Sequence, residues 1–179
     1  MRRRNLLAAI GAGSIGAFAG CAGATPAGTD ADGGEGADPA TDWPSGAYAD
    51  YATTDVEART ADGDLLGTVT AAIADTREKR LLGLSDAESL PEDGGMLFVY
   101  DAPRESLTYV MRRMDFGIDI VYADAEGTVV EIHNAPEPGP SEDGSEQTYP
   151  GSGRYVLEVP YKWTDRNGVA VGDALAFER

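Results

Sequence analysis

The chain has 179 residues with 31 acidic and 14 basic side chains, which gives a formal charge of −17 at pH 7. So few cations leave no basic patch to neutralise phosphates, and this argues against a nucleic-acid-binding protein. With one histidine and one cysteine in the whole sequence, we predict no metal site and no cofactor.

The first 20 residues have the composition of a lipoprotein signal peptide. Arginines occupy positions 2–4, an apolar stretch follows at 6–19, and small residues lead to Cys21. A basic start, a short apolar segment and small residues before a cleavage point are the parts of a secretory signal, and the paired arginines resemble the twin-arginine (Tat) address. The apolar stretch is too short to span a bilayer. We therefore predict lipidation of Cys21 and an exported protein anchored to the outer face of the cytoplasmic membrane.

Removal of residues 1–20 would leave 11 basic and 31 acidic side chains, a formal charge of −20. Such a charge is self-repulsive in dilute buffer. At molar salt the screening length falls to about 3 Å, and the repulsion largely disappears. An acidic surface on an exported protein therefore indicates a halophile, and it means that pairs of acidic residues carry little diagnostic value.

A low-complexity segment follows the signal. Residues 22 to about 50 are mainly Ala, Gly, Thr, Asp, Glu and Pro, a composition that cannot bury enough apolar surface to offset its ordering entropy. We predict a flexible acidic tether over 21–52. From residue 53 short apolar runs appear, and the segment 53–179 is long enough for one domain with a real core.

The apolar runs of this domain predict eight short strands, separated by Gly, Pro and Asp. The predicted strands are 54–60, 65–74, 95–100, 105–111, 118–123, 128–134, 154–159 and 174–178. Their close spacing favours a single mainly β domain, sandwich, jelly-roll-like or open barrel, over an alternating βα fold.

Two short helices interrupt the strands. One is predicted to begin with a capping box at Asp75 and to end at Gly83, and the other, near 161–167, to end at Gly168. The segment 135–153 is rich in Pro, Gly and acids and is predicted to be a surface loop.

Residues 90–100, LPEDGGMLFVY, resemble the L-P-x-x-x-G-M-L-F-x-F stretch of domain-of-unknown-function family 192 (DUF192). Further segments resemble motifs of that family and follow one another in the same order along the chain, at 76–84, 109–114, 118–127, 154–159 and 168–173. The departures cluster where Val110, Arg113 with Met114, and Gly117 stand in place of Trp, Asn-Thr and Pro. The resemblance spans 54–179 and implies a mostly β, sandwich-like fold, but no activity and no site residues.

The candidate site residues are Asp119 and His133. A type I turn with a G1 bulge at 124–127 predicts a hairpin in which Asp119 faces His133, while Ile120 and Ile132 face the core. With Arg112 or Arg113 nearby, this pair would form a small acid–base or anion-binding site, with Arg112 as the candidate ligand-binding residue. The alternative is a cross-strand ion pair worth roughly 0.2–1 kcal/mol.

We expect a lipid-anchored extracytoplasmic domain that binds a small molecule, glycan or partner protein without catalysing a reaction. One alternative is a hydrolase that uses Asp119 and His133, and another is a structural component of the envelope. A concave pocket that contains Asp119, His133 and Arg112 together would favour the enzyme.

Overall fold

Seven strands form one sheet in the computed structural model, which describes residues 43–178. The strands are β1 (Thr53–Arg59), β2 (Leu65–Ala74), β3 (Gly94–Val110), β4 (Ile118–Ala123), β5 (Val129–Ala135), β6 (Thr148–Pro160) and β7 (Ala174–Phe177). Two short helices, α1 (Arg77–Leu82) and α2 (Trp163–Asn167), and a 3-10 turn at Gly46–Tyr48 complete the described elements. None of the helices in this part of the chain is long and apolar enough to cross a membrane.

The strand order is β5-β4-β6-β3-β2-β1-β7, and every neighbouring pair is antiparallel except β2 with β3. The sheet curls so that its two ends approach each other, with a bridge between Thr128 and Ala174. The predicted mainly β, open-barrel class with two short helices is therefore confirmed. The runs predicted as separate strands at 95–100 and 105–111 form one strand, because β3 continues through two irregularities in its pairing with β6.

The sheet separates two apolar clusters. All seven strands contribute to the inner core, which lies within the curl and contains Val56, Ala58, Val69, Ala71, Leu97, Val99, Val121, Ala123, Val129, Tyr155, Leu157, Val159, Trp163, Val169 and Leu175. The outer core on the opposite face contains Tyr48, Ala72, Ala74, Leu84, Met96, Phe98, Met111, Met114, Ile118, Ile120, Tyr122, Ala135 and Val156. Strands β3, β4 and β6 supply residues to both clusters, and their segments 94–99, 118–123 and 155–159 are buried on both faces.

A capping side chain and two glycines explain where the helices begin and end. The side chain of Thr76 accepts a hydrogen bond from Lys79 N and caps α1, so the predicted cap at Asp75 is one residue too early. Helix α1 ends at Gly83 and α2 ends at Gly168, as predicted. Gly168 adopts the left-handed conformation with φ 72°, which only glycine takes at little cost.

The segment that precedes β1 packs on the outer core. Tyr48 is 1% exposed, and its hydroxyl accepts a hydrogen bond from Asp86 N at 3.0 Å. Trp43 donates from Nε1 to Gly95 O at 2.9 Å, across 52 residues of sequence. The packed structure therefore begins no later than Trp43, earlier than the predicted boundary at residue 53. The predicted signal peptide and most of the predicted tether lie outside the described residues.

Candidate functional site

The predicted pairing of Asp119 with His133 is wrong. Strand β4 pairs with β5 so that Asp119 faces Asn134 and Ile120 faces His133. A bulge after Tyr122 adds Val130 as an extra residue, and this shifts the register by one from the predicted alignment. Because a slip of one residue exchanges the two faces of a strand, Asp119 and His133 lie on opposite faces of the sheet.

Asp119 holds two parts of the fold together. Its carboxylate is fully buried and accepts hydrogen bonds from Asn134 Nδ2, Lys162 N, Thr164 N and Thr164 Oγ1 at 2.6–2.9 Å. Lys162 precedes α2 with φ 63° and offers no side-chain cap, so Asp119 caps this helix from a neighbouring strand. Both oxygens are occupied, which identifies a structural carboxylate rather than a group available to a substrate.

His133 lies on the other face of the sheet, at the edge of the outer core. Its Nε2 is 2.7 Å from Pro150 O and 3.2 Å from Glu131 Oε1. The imidazole also packs against the rings of Tyr122 and Tyr149, with centroid distances of 5.9 and 5.6 Å. These contacts explain the position of the His133 side chain without a bound ligand.

Arg112 is separate from both predicted partners and lines a cavity over the outer core. Its Nη2 donates to Leu81 O at 3.0 Å. The cavity has a volume of about 340 Å³, at the small end of the range for ligand pockets. Its walls come from α1 and the residues that follow it, from β3, and from the segment between β3 and β4. The three predicted site residues therefore do not share one pocket.

Glu158 is the acidic residue that lines this cavity, and it was not singled out from the sequence. It lies on β6 between Met96 of β3 and Ile120 of β4. Its neighbours Leu157 and Val159 point into the inner core, so Glu158 points to the outer face, where it is 4% exposed. Within residues 43–178 its carboxyl group makes no hydrogen bond and no ion pair. No fully enclosed side-chain oxygen or nitrogen in the described part of the chain lacks a hydrogen-bond partner, so Glu158 is a largely buried carboxyl group that lines the cavity and not an unsatisfied enclosed one.

Burial raises the pKa of Glu158 from its ordinary value of 4.5 to about 8. A carboxylate in apolar surroundings loses its hydration, so the protonated form is favoured. At neutral pH the cavity therefore presents mainly a neutral carboxyl group, which can both donate and accept a hydrogen bond.

Three tyrosines lie close enough to Glu158 to respond to its charge, but none bonds to it. Burial, reinforced by Glu158, raises the pKa of Tyr48 to about 12 and raises those of Tyr109 and Tyr122 as well. The Tyr109 hydroxyl is 3.1 Å from that of Tyr100, and the Tyr122 hydroxyl donates to Tyr149 O at 2.6 Å. These hydroxyls are committed elsewhere, so none of the three tyrosines is a hydrogen-bond partner of Glu158.

The sequence does carry a signal for this residue. Glu158 is a single acid within YVLEV, a run that is otherwise apolar or aromatic, and a strand buried on both faces has no solvent side for a charge. No group of three or more His, Cys, Asp or Glu side chains suited to a metal occurs in the described part of the chain.

The chain belongs to the DUF192 family, a family of uncharacterized ACR proteins, whose model matches residues 57–177. The resemblance noted in the sequence is therefore confirmed. No curated protein shows significant similarity to it.

Two solved structures share the fold. A crystal structure from Sinorhizobium meliloti 1021, named as a candidate transcription regulator, is 28% identical with a TM-score of 0.64, over 71% of this chain and 95% of that one. A protein of unknown function from Novosphingobium aromaticivorans is 22% identical with a TM-score of 0.64, over 80% of this chain and 99% of that one. The second likeness concerns the fold alone.

We predict that Asp119→Asn destabilises the protein by about 3 kcal/mol, because the amide places a donor against donors that the carboxylate now satisfies. His133→Gln, the control on the opposite face, costs less than about 1 kcal/mol. Urea denaturation of both variants at pH 7 in molar salt measures the two values. A loss below 1 kcal/mol for Asp119→Asn would contradict the structural role.

We predict that Glu158→Gln removes a pH dependence from stability. The folded chain keeps a proton on Glu158 between pH 4.5 and about 8 that the unfolded chain releases. The stability contributed by Glu158 is therefore complete below pH 4.5 and is lost as the pH rises through 8.

The wild-type free energy of unfolding should fall relative to that of Glu158→Gln by about 1 kcal/mol per pH unit over this window. Tyr48, Tyr109 and Tyr122 stay neutral there because their pKa values are raised. Paired urea titrations from pH 5 to pH 9 test this, and a constant difference between the two proteins would refute it.

Proposed function

We propose that this protein is a lipid-anchored extracytoplasmic binding module that takes up a small molecule in the Glu158 cavity without catalysing its conversion. The observation that carries the proposal is a largely buried carboxyl group that lines a cavity of about 340 Å³ and makes no hydrogen bond to any of residues 43–178. A ligand would gain a hydrogen bond to Glu158 without breaking one to these residues.

The chemistry of the cavity favours binding over catalysis. Ser85 and Thr108 line it, and so do Tyr100 and Tyr109. Among the described residues no hydroxyl or amine hydrogen-bonds to Glu158, so no nucleophile is paired with a base. The hydrolase alternative loses its support, since Asp119 is saturated with hydrogen bonds and lies on the opposite face from His133.

A role in transcription, suggested by the name of the structure from S. meliloti, is not favoured. Residues 43–178 contain 26 acidic and 10 basic side chains, and DNA binding requires cations that neutralise phosphates. A purely structural envelope role would not explain why a largely buried carboxyl group lines a cavity.

The location rests on sequence alone. The arginines at positions 2–4, the apolar stretch 6–19 and Cys21 support export and lipidation. The acidic composition supports molar salt as the working solvent. The proposed partners are therefore the membrane, through the lipid on Cys21, and one small ligand.

The binding function is tested with a variant that fills the cavity. Thr108 is exposed and lines the cavity from β3, so Thr108→Trp should block it. The matched control is Thr68→Trp, because Thr68 is also an exposed strand threonine but lies on β2 and does not line the cavity.

Detergent-purified full-length protein is screened by thermal shift in molar salt against amino acids, sugars, short carboxylic acids and nucleosides. We expect at least one compound to raise the Tm of wild type and Thr68→Trp but not of Thr108→Trp. A compound that stabilises all three proteins equally binds elsewhere. The proposal fails if no compound distinguishes Thr108→Trp from the control.

The anchor is tested with Cys21→Ser. If the sulfur carries a lipid, this substitution moves the protein from the membrane fraction to the soluble fraction after export, and it removes the mass of the acyl groups from the N-terminal peptide. Cell fractionation with mass spectrometry measures both. Equal membrane association of wild type and variant would refute the lipid anchor.

A further inference from the structure

The cavity contains three cations of a strongly acidic protein. Arg77 and Arg80 come from α1, and Arg112 comes from the segment after β3. Residues 43–178 contain only 10 basic side chains against 26 acidic ones. Three arginines around one cavity therefore form an electropositive region on a surface that otherwise repels anions.

None of these three positive charges forms an ion pair within residues 43–178, and backbone carbonyl groups hold two of the side chains in place. Arg80 Nη1 donates to Asp75 O at 2.6 Å and to Val99 O at 2.8 Å, and its guanidinium group lies 4.9 Å from the centre of the Tyr100 ring. Arg112 donates to Leu81 O. Among residues 43–178, none of the five ion pairs involves Arg77, Arg80 or Arg112. Carbonyl groups position two of these side chains without cancelling their charge.

Arg113 shows the contrast within the same turn. It follows Arg112 directly, does not line the cavity, and forms an ion pair with Asp86 at 2.9 Å. Arg113 therefore has a carboxylate at ion-pair distance. Arg112 forms no ion pair among residues 43–178 and acts on a carboxylate only at longer range, where hydrogen bonds from Ser145, reinforced by Arg112, lower the pKa of Asp143.

Apolar side chains form most of the remaining wall of the cavity. The apolar lining residues are Leu81, Leu82, Leu84, Phe98, Val110, Met114 and Ile118. Glu158 enters from the sheet, and it makes no hydrogen bond to any of the three arginines. The cavity thus offers cations, an apolar wall and a hydrogen-bonding carboxyl group within about 340 Å³, room for about eleven waters at roughly 30 Å³ each.

We infer that the ligand is a small organic acid, a carboxylate or a phosphate ester, with an apolar body and a hydrogen-bonding group at its other end. The acid group binds Arg77, Arg80 and Arg112, because guanidinium groups match the paired oxygens of both anions. The apolar body lies along the wall that contains Phe98, and the opposite end bonds to Glu158. This inference rests on the proposed binding function and specifies its ligand class.

Matched pairs of compounds test the class. The carboxylate probes are 4-hydroxyphenylacetate and 6-hydroxyhexanoate, each compared with its methyl ester, which removes the charge and keeps the body. Phenyl phosphate represents the phosphate esters, and phenylacetate lacks the second hydrogen-bonding group. Affinities are measured by calorimetry on detergent-purified full-length protein at pH 7 and constant salt.

We expect at least one acid to bind about tenfold or more tightly than its neutral counterpart, because charge-assisted hydrogen bonds are about twice as strong as neutral ones. Arg112→Gln should abolish this preference. Arg113→Gln, which changes the net charge equally at the adjacent position, should retain it. Wild type should also bind 4-hydroxyphenylacetate more tightly than phenylacetate. If this preference disappears in Glu158→Gln, it supports the assignment of the ligand's hydroxyl end to Glu158.

The outcomes separate this inference from the binding function. If neutral compounds bind as tightly as the acids, and Thr108→Trp still abolishes binding, the cavity binds ligands but the acid class is wrong. If the preference for acids survives Arg112→Gln and is lost in Arg113→Gln, the arginine assignment is wrong. If neither the probes nor the wider screen discriminates Thr108→Trp from Thr68→Trp, both proposals fail.

Discussion

The second half of strand β6 is buried on both faces, and much of the molecule depends on that constraint. The strand pairs with β3 on one side and with β4 on the other, so the side chains of residues 155–159 alternate between two apolar clusters, whereas Thr148, Pro150 and Ser152 at the start of the strand are exposed. Tyr155, Leu157 and Val159 fill the inner core, and Val156 packs in the outer core. Glu158 follows the same alternation and carries a carboxyl group into apolar surroundings.

The two buried acidic residues of the sheet differ in their hydrogen bonding. Asp119 has four hydrogen-bond donors around it and holds the start of α2. Glu158 has none within the described residues, and burial raises its pKa. The first carboxyl group is satisfied by the fold itself and contributes to stability. The second lines a cavity that can admit another molecule.

Much of the fold was predictable from local patterns. The runs at 65–74 and 118–123 match β2 and β4, and glycines mark the ends of both helices. The bulge at Val130 was not predictable, because alternating apolar residues in β5 fit either register until the neighbouring strands are known. The cavity was missed for a related reason. Its walls come from distant parts of the chain, and the burial of Glu158 depends on strands β3 and β4 on either side of it.

The sheet order has a consequence for synthesis. Strand β1 lies between β2 and β7, so its second neighbour is the last strand of the chain. No nascent chain that ends before Phe177 can complete the sheet, and β1 has an unpaired edge until then. Pairing across more than 110 residues also closes a long loop, which slows folding of a β-rich topology. The interval between the emergence of β1 and that of β7 is therefore the period in which this protein is most exposed to aggregation.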